Sequence, residues 1–447
     1  MKIIIPVVLL LIILISSDSF SQAQNGQFVK DTKSGCLVWN DVDAAMTVTW
    51  SGSCKDGYAD GSGTLTWFDN NNIVATYIGE MQKGYVTGKG KYIYEGWGSA
   101  EGNFVNGTLQ GNGKILMLTG GKLEGNFVDG ELLDLDASYL NKLKKIDSGI
   151  EDTQEIYRGN GTLFYYALAP QNVKGVLVLL PSTGEGAENV ISCNKKLMHL
   201  CYDNNILSVV LSTNYNKGLE ADTAAMNFLN TTFSDIIKKY NAPADKFILS
   251  GLSLGGENAL QYTEISRSGK FYTSIKPLAA IGVDPPVDMA NLYDRAKEEI
   301  ALYTRDSANL TDSKKAALNE DYFLIDYFDK LYGGSPKEVP EKYVEGSQYS
   351  LNHPDGGNAK YLIDVPIRIY TDPDISWQMK YKTRDYYHMN CVDQSAMINF
   401  LQISGNTRAE FIPALGKGYR LDGLRHPHSW SIVDADECIT WMLNLIK

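Results

Sequence analysis

Apolar runs alternate with helical patterns over the last two thirds of the chain. The runs Gly175–Leu180 and Ile206–Leu211 are typical of buried parallel strands. Helical periodicity follows at 189–202 and at Thr223–Tyr240. Further strands are predicted at 162–168 (an exposed strand), 246–250, 276–283, 365–370 and 409–413. Alternating strands and helices predict an α/β fold with a mostly parallel, doubly wound sheet that has helices on both faces.

Glycine recurs regularly in the N-terminal third. Gly79, Gly102 and Gly125 follow one another at intervals of 23 residues, and a Gly-x-Gly pair lies within each interval. This pattern, over roughly 48–132, resembles the MORN repeat, in which copies of two short strands stack because one copy cannot bury its face alone. The resemblance implies an all-β hairpin array over 24–135. Its partner would be a protein or an envelope component, and a purely structural role is the alternative.

The first residues have the pattern of an export signal. Lys2 precedes an almost unbroken apolar run at 3–15, and Ser21 and Ala23 are small residues at the spacing that signal peptidase requires. We therefore predict a signal peptide over 1–23 and a secreted or periplasmic protein. A membrane anchor is the alternative, but the apolar run is short for a hydrocarbon core of ~30 Å.

Length and charge limit the domain organisation and the partners. A chain of 447 residues favours two folded units. The polar stretch 136–155 predicts a linker with a short helix, 156–447 a second domain, and the charged, partly helical 289–360 a cap inserted into that domain. The net charge of −12 argues against nucleic acid as a partner, because nucleic-acid binding needs clustered cations.

The cysteines suggest at most one disulfide. Cys36 and Cys54 flank a short strand-like stretch and are close enough in sequence to pair, although free thiols are an equal alternative. Cys193 and Cys201 lie in one predicted helix, about 12 Å apart at ~1.5 Å per residue, which is too far for a bridge. The spacing of the cysteines indicates no metal site, and the sequence implies no cofactor.

The strongest chemical motif is Gly251, Ser253 and Gly255, which has the pattern G-x-S-x-G. It follows an apolar strand directly and begins a helical run at 257–264. Such a turn forces a strained backbone on the serine and requires small neighbours where strand and helix nearly touch. The amide of Leu254, at the start of the helix, would then point toward a developing oxyanion.

This motif and its context resemble the nucleophile elbow of the α/β-hydrolase superfamily, and the resemblance covers roughly 156–447. It implies a catalytic triad in the chain order serine, acid, histidine. The histidine should lie in a loop after the last strand, where His426 and His428 are found. We choose His428 as the general base, since it stands where the C-terminal helical run begins, and interpret His426 as a residue that orders the loop. A metal site at this pair lacks supporting ligands.

The acid has three candidates. Asp374 fits the usual distance after the strand at 365–370, Asp372 is the second choice, and Asp284 ends the preceding strand. For each, the alternative is a helix cap or a turn residue. The second oxyanion amide should come from the loop after Leu180, where we choose Thr183.

Together these residues predict an exported hydrolase of carboxylic esters, small or polymeric, that acts through an acyl-enzyme. Ser253 would be the nucleophile, His428 the base and Asp374 the acid, with Leu254 and Thr183 as oxyanion donors. Two alternatives remain open. One is a serine peptidase with the same triad, and the other is a non-catalytic binding protein with a degenerate hydrolase domain.

Overall fold

The computed structural model of the protein describes residues 26–40, 46–151, 162–212, 219, 223–305 and 310–447. The predicted signal peptide lies outside these residues. The chain divides into two compact units. The first contains the described residues up to Leu135 together with Leu421–Leu424, and the second contains the described parts of Asp136–Arg420 and Arg425–Lys447.

The first unit is all β. Its strands are β1 (Gln27–Lys30), β2 (Leu37–Asn40), β3 (Thr47–Trp50), β4 (Ser53–Lys55), β5 (Tyr58–Asp69), β6 (Asn72–Gln82), β7 (Tyr85–Tyr94), β8 (Gly98–Val105), β9 (Thr108–Met117), β10 (Lys122–Val128) and β11 (Glu131–Leu132). From β5 to β11 each strand pairs antiparallel with the next one in the chain. The predicted hairpin array is therefore present, and the sheet's buried face contains aromatic side chains such as Tyr77 and Phe127.

The glycine periodicity has a physical cause in this sheet. Paired glycines form a row across neighbouring strands: Gly63, Gly79, Gly90, Gly102, Gly113 and Gly125. At two of these positions the buried ring of Tyr77 occupies the space that a side chain would fill, since a Cβ on Gly79 or Gly90 would overlap it. Glycine is often required at tight turns, whereas these six lie within strands and make room for large side chains. A disulfide joins Cys36 and Cys54 in the same unit.

The second unit is built on a mixed sheet. Its strands are β12 (Leu143–Glu151), β13 (Thr162–Leu168), β14 (Gly175–Leu180), β15 (Ile206–Leu211), β16 (Phe247–Leu252), β17 (Ala279–Val283), β18 (Ile367–Thr371) and β19 (Ala409–Pro413). Their order is β12-β13-β15-β14-β16-β17-β18-β19. The first two pairings are antiparallel and the remaining five are parallel. This confirms the predicted mostly parallel α/β sheet.

Helices follow most of the parallel strands. They are α1 (Ala137–Leu140), α2 (Ala187–Cys193), α3 (Lys195–Asp203), α4 (Thr223–Tyr240), α5 (Leu254–Ser268), α6 (Met289–Tyr303), α7 (Asp312–Tyr332), α8 (Pro340–Gly346), α9 (Ile375–Trp377), α10 (Cys391–Ile403) and α11 (Ala435–Ile446). Strands β14 to β17 are buried along their whole length, as continuous apolar runs predict. Among the described residues, none of these helices has the length and apolar character needed to cross a membrane.

Three sequence expectations need correction. Much of the predicted linker is strand β12, whose pattern is hidden by an irregularity between Asp147 and Ile150 that disturbs the alternation. Because β12 covers this edge, β13 is largely buried rather than exposed. The helix predicted at 189–202 is two helices, α2 and α3, interrupted at Asn194. The insertion at 289–360 is helical, with α6, α7 and α8.

Candidate functional site

Ser253 lies on a strained turn between β16 and α5. Its φ of +54° is in the left-handed region, which a serine adopts only at a cost. The turn is tight enough that a Cβ on Gly251 would overlap the Gly255 backbone, and a Cβ on Gly255 would overlap the carbonyl of Leu180. The two glycines of the motif therefore allow the close approach of strand, helix and neighbouring loop that a nucleophile elbow requires.

Asp284 leaves the next strand at the same edge of the sheet. Leu252 and Val283 are partners in the parallel register of β16 and β17, and Ser253 and Asp284 are the residues that follow these two strands. The amide of Ser253 donates to the carbonyl of Val283 at 2.9 Å, which continues this pairing. The carboxyl ends of parallel strands share one edge, and ligand sites of open α/β sheets form there.

His428 contacts Asp284. Its Nδ1 lies 2.7 Å from Asp284 Oδ2. A proton on Nδ1 that is held by the carboxylate leaves Nε2 free of hydrogen and able to accept a proton. The imidazole is about 30% exposed and the carboxylate about 14% exposed, so the pair is accessible but only partly hydrated.

Several groups fix the orientation of Asp284. Its amide donates to the carbonyl of Tyr370 at 2.8 Å, and its second oxygen accepts from Thr371 Oγ1 at 3.1 Å and from Gln394 Nε2 at 3.0 Å. Asn390 Nδ2 also donates to its carbonyl at 3.1 Å. The carboxylate is thus held on one oxygen and presents the other to His428. Sequence reasoning missed these four partners, because they come from β18, from α10 and from the residue before α10, and have no spacing that marks them.

Asp374, the first choice for the acid, does not contact His428. Its Oδ1 caps α9 by accepting from the amide of Trp377 at 2.9 Å, and its Oδ2 lies 2.9 Å from Arg425 Nη2. Both oxygens are therefore occupied in ordering the chain. The structure thus brings His428 together with Asp284 and leaves Asp374 as the helix cap that was its alternative interpretation.

Asp372 orders the loop that leads to His428. Its buried carboxylate accepts from the amides of Gly416 at 3.0 Å and Gly418 at 2.8 Å, and it lies 2.8 Å from Arg425 Nη2. A single guanidinium therefore joins Asp372 and Asp374 to the segment three residues before His428.

His426 lies in the same loop but in a different environment. Its Nδ1 lies 3.0 Å from the carbonyl of His428, and its ring packs edge-on against Trp377 with the centroids 5.0 Å apart. Burial, with Arg420, His428 and Lys382 as smaller causes, lowers the pKa of His426 to about 2. A neutral ring that donates from Nδ1 orders the loop, as expected for this residue.

The two expected oxyanion donors are Leu254, at the elbow itself, and Thr183, in the loop after β14. Leu254 is the first residue of α5, so its amide is one of those that a helix leaves without an intrahelical acceptor. The loop after β14 passes close to Gly255, since a Cβ there would overlap the carbonyl of Pro181 as well as that of Leu180. Thr183 lies within this loop, in a turn closed by the Glu185 amide donating to the Ser182 carbonyl at 3.1 Å.

The comparisons with known proteins give structural matches at low identity. A bacterial heroin esterase aligns with a TM-score of 0.43 and 13% identity over 68% of this chain and 84% of its own. Esterase B from Lactobacillus rhamnosis aligns with 0.40 and 14% over 68% and 85%, and MPT51 from Mycobacterium tuberculosis with 0.41 and 12% over 64% and 93%. No protein-family model and no curated protein matches the chain. The function must therefore be inferred from the geometry of the site.

Proposed function

We propose that this protein is a serine hydrolase that cleaves carboxylic esters, with Ser253 as nucleophile, His428 as general base and Asp284 as the acid. One observation supports this most. A strained serine at a strand-to-helix turn and an aspartate paired with a histidine follow directly after neighbouring parallel strands. The left-handed backbone of Ser253 is strained, and such strain is concentrated at functional sites, so it supports a role for the hydroxyl of this partly buried residue.

The reaction begins when the Ser253 hydroxyl attacks the acyl carbon. His428 Nε2 takes the hydroxyl proton, and Asp284 stabilises the imidazolium through Nδ1. The carbonyl electrons move onto the oxygen, which accepts from the amide of Leu254 and, in our proposal, from that of Thr183. The tetrahedral intermediate then expels the alkoxide, which leaves as the alcohol with the proton from His428.

Deacylation repeats these steps with water. His428 removes a proton from water as the hydroxide attacks the acyl-enzyme, and the same proton returns to Ser253 when the acid product leaves. The residues therefore supply a base, a tautomer-fixing carboxylate and backbone donors, which is a complete set for acyl transfer.

Labelling with a fluorophosphonate probe tests the proposal. The folded wild type should be labelled and should hydrolyse short 4-nitrophenyl esters, whereas Ser253→Ala should lose both activities. Ser250→Ala is the matched control, because it removes a buried hydroxyl three residues away on β16 and should keep the labelling. Labelling that persists in Ser253→Ala, or a folded wild type that neither labels nor hydrolyses any ester, would reject the proposal.

A further inference from the structure

Glu185 is a buried carboxylate beside the proposed active site that the sequence motifs did not indicate. It lies in the loop after β14 and is 5% exposed. Its Oε2 accepts from the amide of Ser182 at 2.9 Å, and its Oε1 accepts from Asn189 Nδ2 at 2.7 Å. The carboxylate thus fixes the turn that contains Thr183 and joins it to the start of α2.

The same carboxylate also holds the loop of the proposed base. Trp430 Nε1 donates to Glu185 Oε1 at 2.9 Å and lies 3.2 Å from Oε2. Trp430 is buried and follows His428 by two residues. One side chain therefore connects the loop expected to supply an oxyanion donor with the loop that carries the base, although 245 residues separate Glu185 and Trp430.

The charge of Glu185 acts on His428 as well. Burial raises the pKa of Glu185, while the hydrogen bonds from Ser182, Trp430 and Asn189 and the charge of His428 oppose this rise. Each of these three donors favours the ionised carboxylate, because a protonated oxygen would face an N–H group. A negative charge near the imidazole stabilises its protonated form, which the reaction generates.

We propose that Glu185 is a positioning residue for ester hydrolysis, which aligns the loop containing Thr183 with the His428 loop and stabilises protonated His428 by its charge. This inference depends on the proposed function. The groups that face His428 are Asp284 at Nδ1, Glu185, and His426, whose ring nitrogen meets the His428 carbonyl. Asp284 sets the tautomer, and Glu185 sets the relative position of the two loops.

Kinetics of Glu185→Gln test this role. The amide keeps the shape of the side chain, but its own N–H group must face one of the N–H groups from which the carboxylate accepts. We therefore expect kcat to fall by on the order of ten- to a hundred-fold, while KM for a short ester stays within about twofold. Loss of the negative charge makes protonated His428 less favourable, so the acid limb of the kcat/KM profile should move to lower pH by roughly half a unit or more. A residue with only a structural role would not move this limb.

Two further variants separate the parts of the inference. Glu188→Gln is the matched control, because Glu188 is an equally buried carboxylate in α2 that accepts from Tyr166 Oη at 2.7 Å, and its kcat and acid limb should equal those of wild type. Trp430→Phe removes only the link to the His428 loop. Its kcat should fall several-fold with an unmoved acid limb, and it carries the test if Glu185→Gln does not fold.

The outcomes distinguish this inference from the proposed function. A wild type that labels and hydrolyses esters, with a folded Glu185→Gln whose kcat is within twofold and whose acid limb is unmoved, would reject the role of Glu185 alone. The role of Glu185 would also be rejected if the activity of Glu185→Gln fell only in proportion to the fraction of the variant that is folded. A wild type without labelling or hydrolysis would instead reject the proposed function itself.

Discussion

Strands β17 and β18 are neighbours in the parallel sheet, and each is followed by aspartates. The aspartate after β17 contacts different groups from the two aspartates after β18. Asp284, after β17, contacts the imidazole of His428. Asp372 and Asp374, after β18, contact backbone amides and Arg425 in the loop that carries the same histidine. The aspartate after β17 thus orients the ring of His428, and the aspartates after β18 fix the backbone of the loop that carries it.

The difference shows how similar carboxylates acquire separate roles. Asp284 has a φ of +47° at the end of its strand, and its second oxygen is held by Thr371 and Gln394, so one oxygen remains for His428. The carboxylates after β18 are occupied by amides and a guanidinium. An acid can orient a histidine only when its other partners leave an oxygen available, and those partners are set by tertiary contacts.

Replacing Asp284 should have the largest effect. Asp284→Asn keeps the size but allows the imidazole to adopt the tautomer with hydrogen on Nε2, so the base is no longer prepared. We expect kcat to fall by about a thousand-fold or more with little change in KM. Steady-state hydrolysis of a short ester measures this, and a loss of less than tenfold in the folded variant would mean that another carboxylate serves as the acid.

Replacing Asp372 should mainly reduce stability. Its carboxylate accepts from two amides and pairs with Arg425, and the side chain is fully buried. In Asp372→Asn one oxygen becomes an N–H group that faces another donor, which should cost about 2–3 kcal/mol of unfolding free energy. Urea denaturation measures the loss, with the exposed Asp364→Asn before β18 as control. Equal stability of the two variants would contradict this role.

The sequence predicted elements and motif residues well, and partner choice poorly. The parallel strands follow from continuous apolar runs, and the turn at Ser253 follows from the G-x-S-x-G pattern between a strand and a helix. The acid does not follow, because Asp284, Asp372 and Asp374 all come after strands and each fits the chain order. Glu185 and Gln394 were missed for the same reason, since their contacts join parts of the chain that are far apart.

His426 should make the stability of the folded protein depend on pH. The pKa of His426 is lowered to about 2 in the folded protein, whereas an unfolded histidine takes up a proton near pH ~6.5. Acidification below that pH therefore favours the unfolded chain, and the loss of stability grows until the pH reaches the folded value. We expect His426 to account for about 1 kcal/mol of stability lost between pH 7 and pH 5, allowing for its partial exposure.

His426→Gln tests this expectation, because an amide does not titrate but retains a donor for the His428 carbonyl. Its stability should fall less than that of wild type between pH 7 and pH 5 when urea unfolding is measured at both values. The acid limb of its activity should match that of wild type, since His426 takes no part in proton transfer. An acid limb that disappears in this variant would exchange the roles of the two histidines.

The smallest effect should come from Asp374→Asn, although the sequence ranked Asp374 first as the acid. An asparagine oxygen still caps α9 at the Trp377 amide, and Arg425 keeps Asp372, so we expect kcat within about threefold of wild type and a stability loss below about 1 kcal/mol. The double variant with Asp372→Asn should lose more than the two single losses combined, because Arg425 then has neither carboxylate. A kcat for Asp374→Asn as low as that of Asp284→Asn would instead show that both strand ends act on the ring of His428.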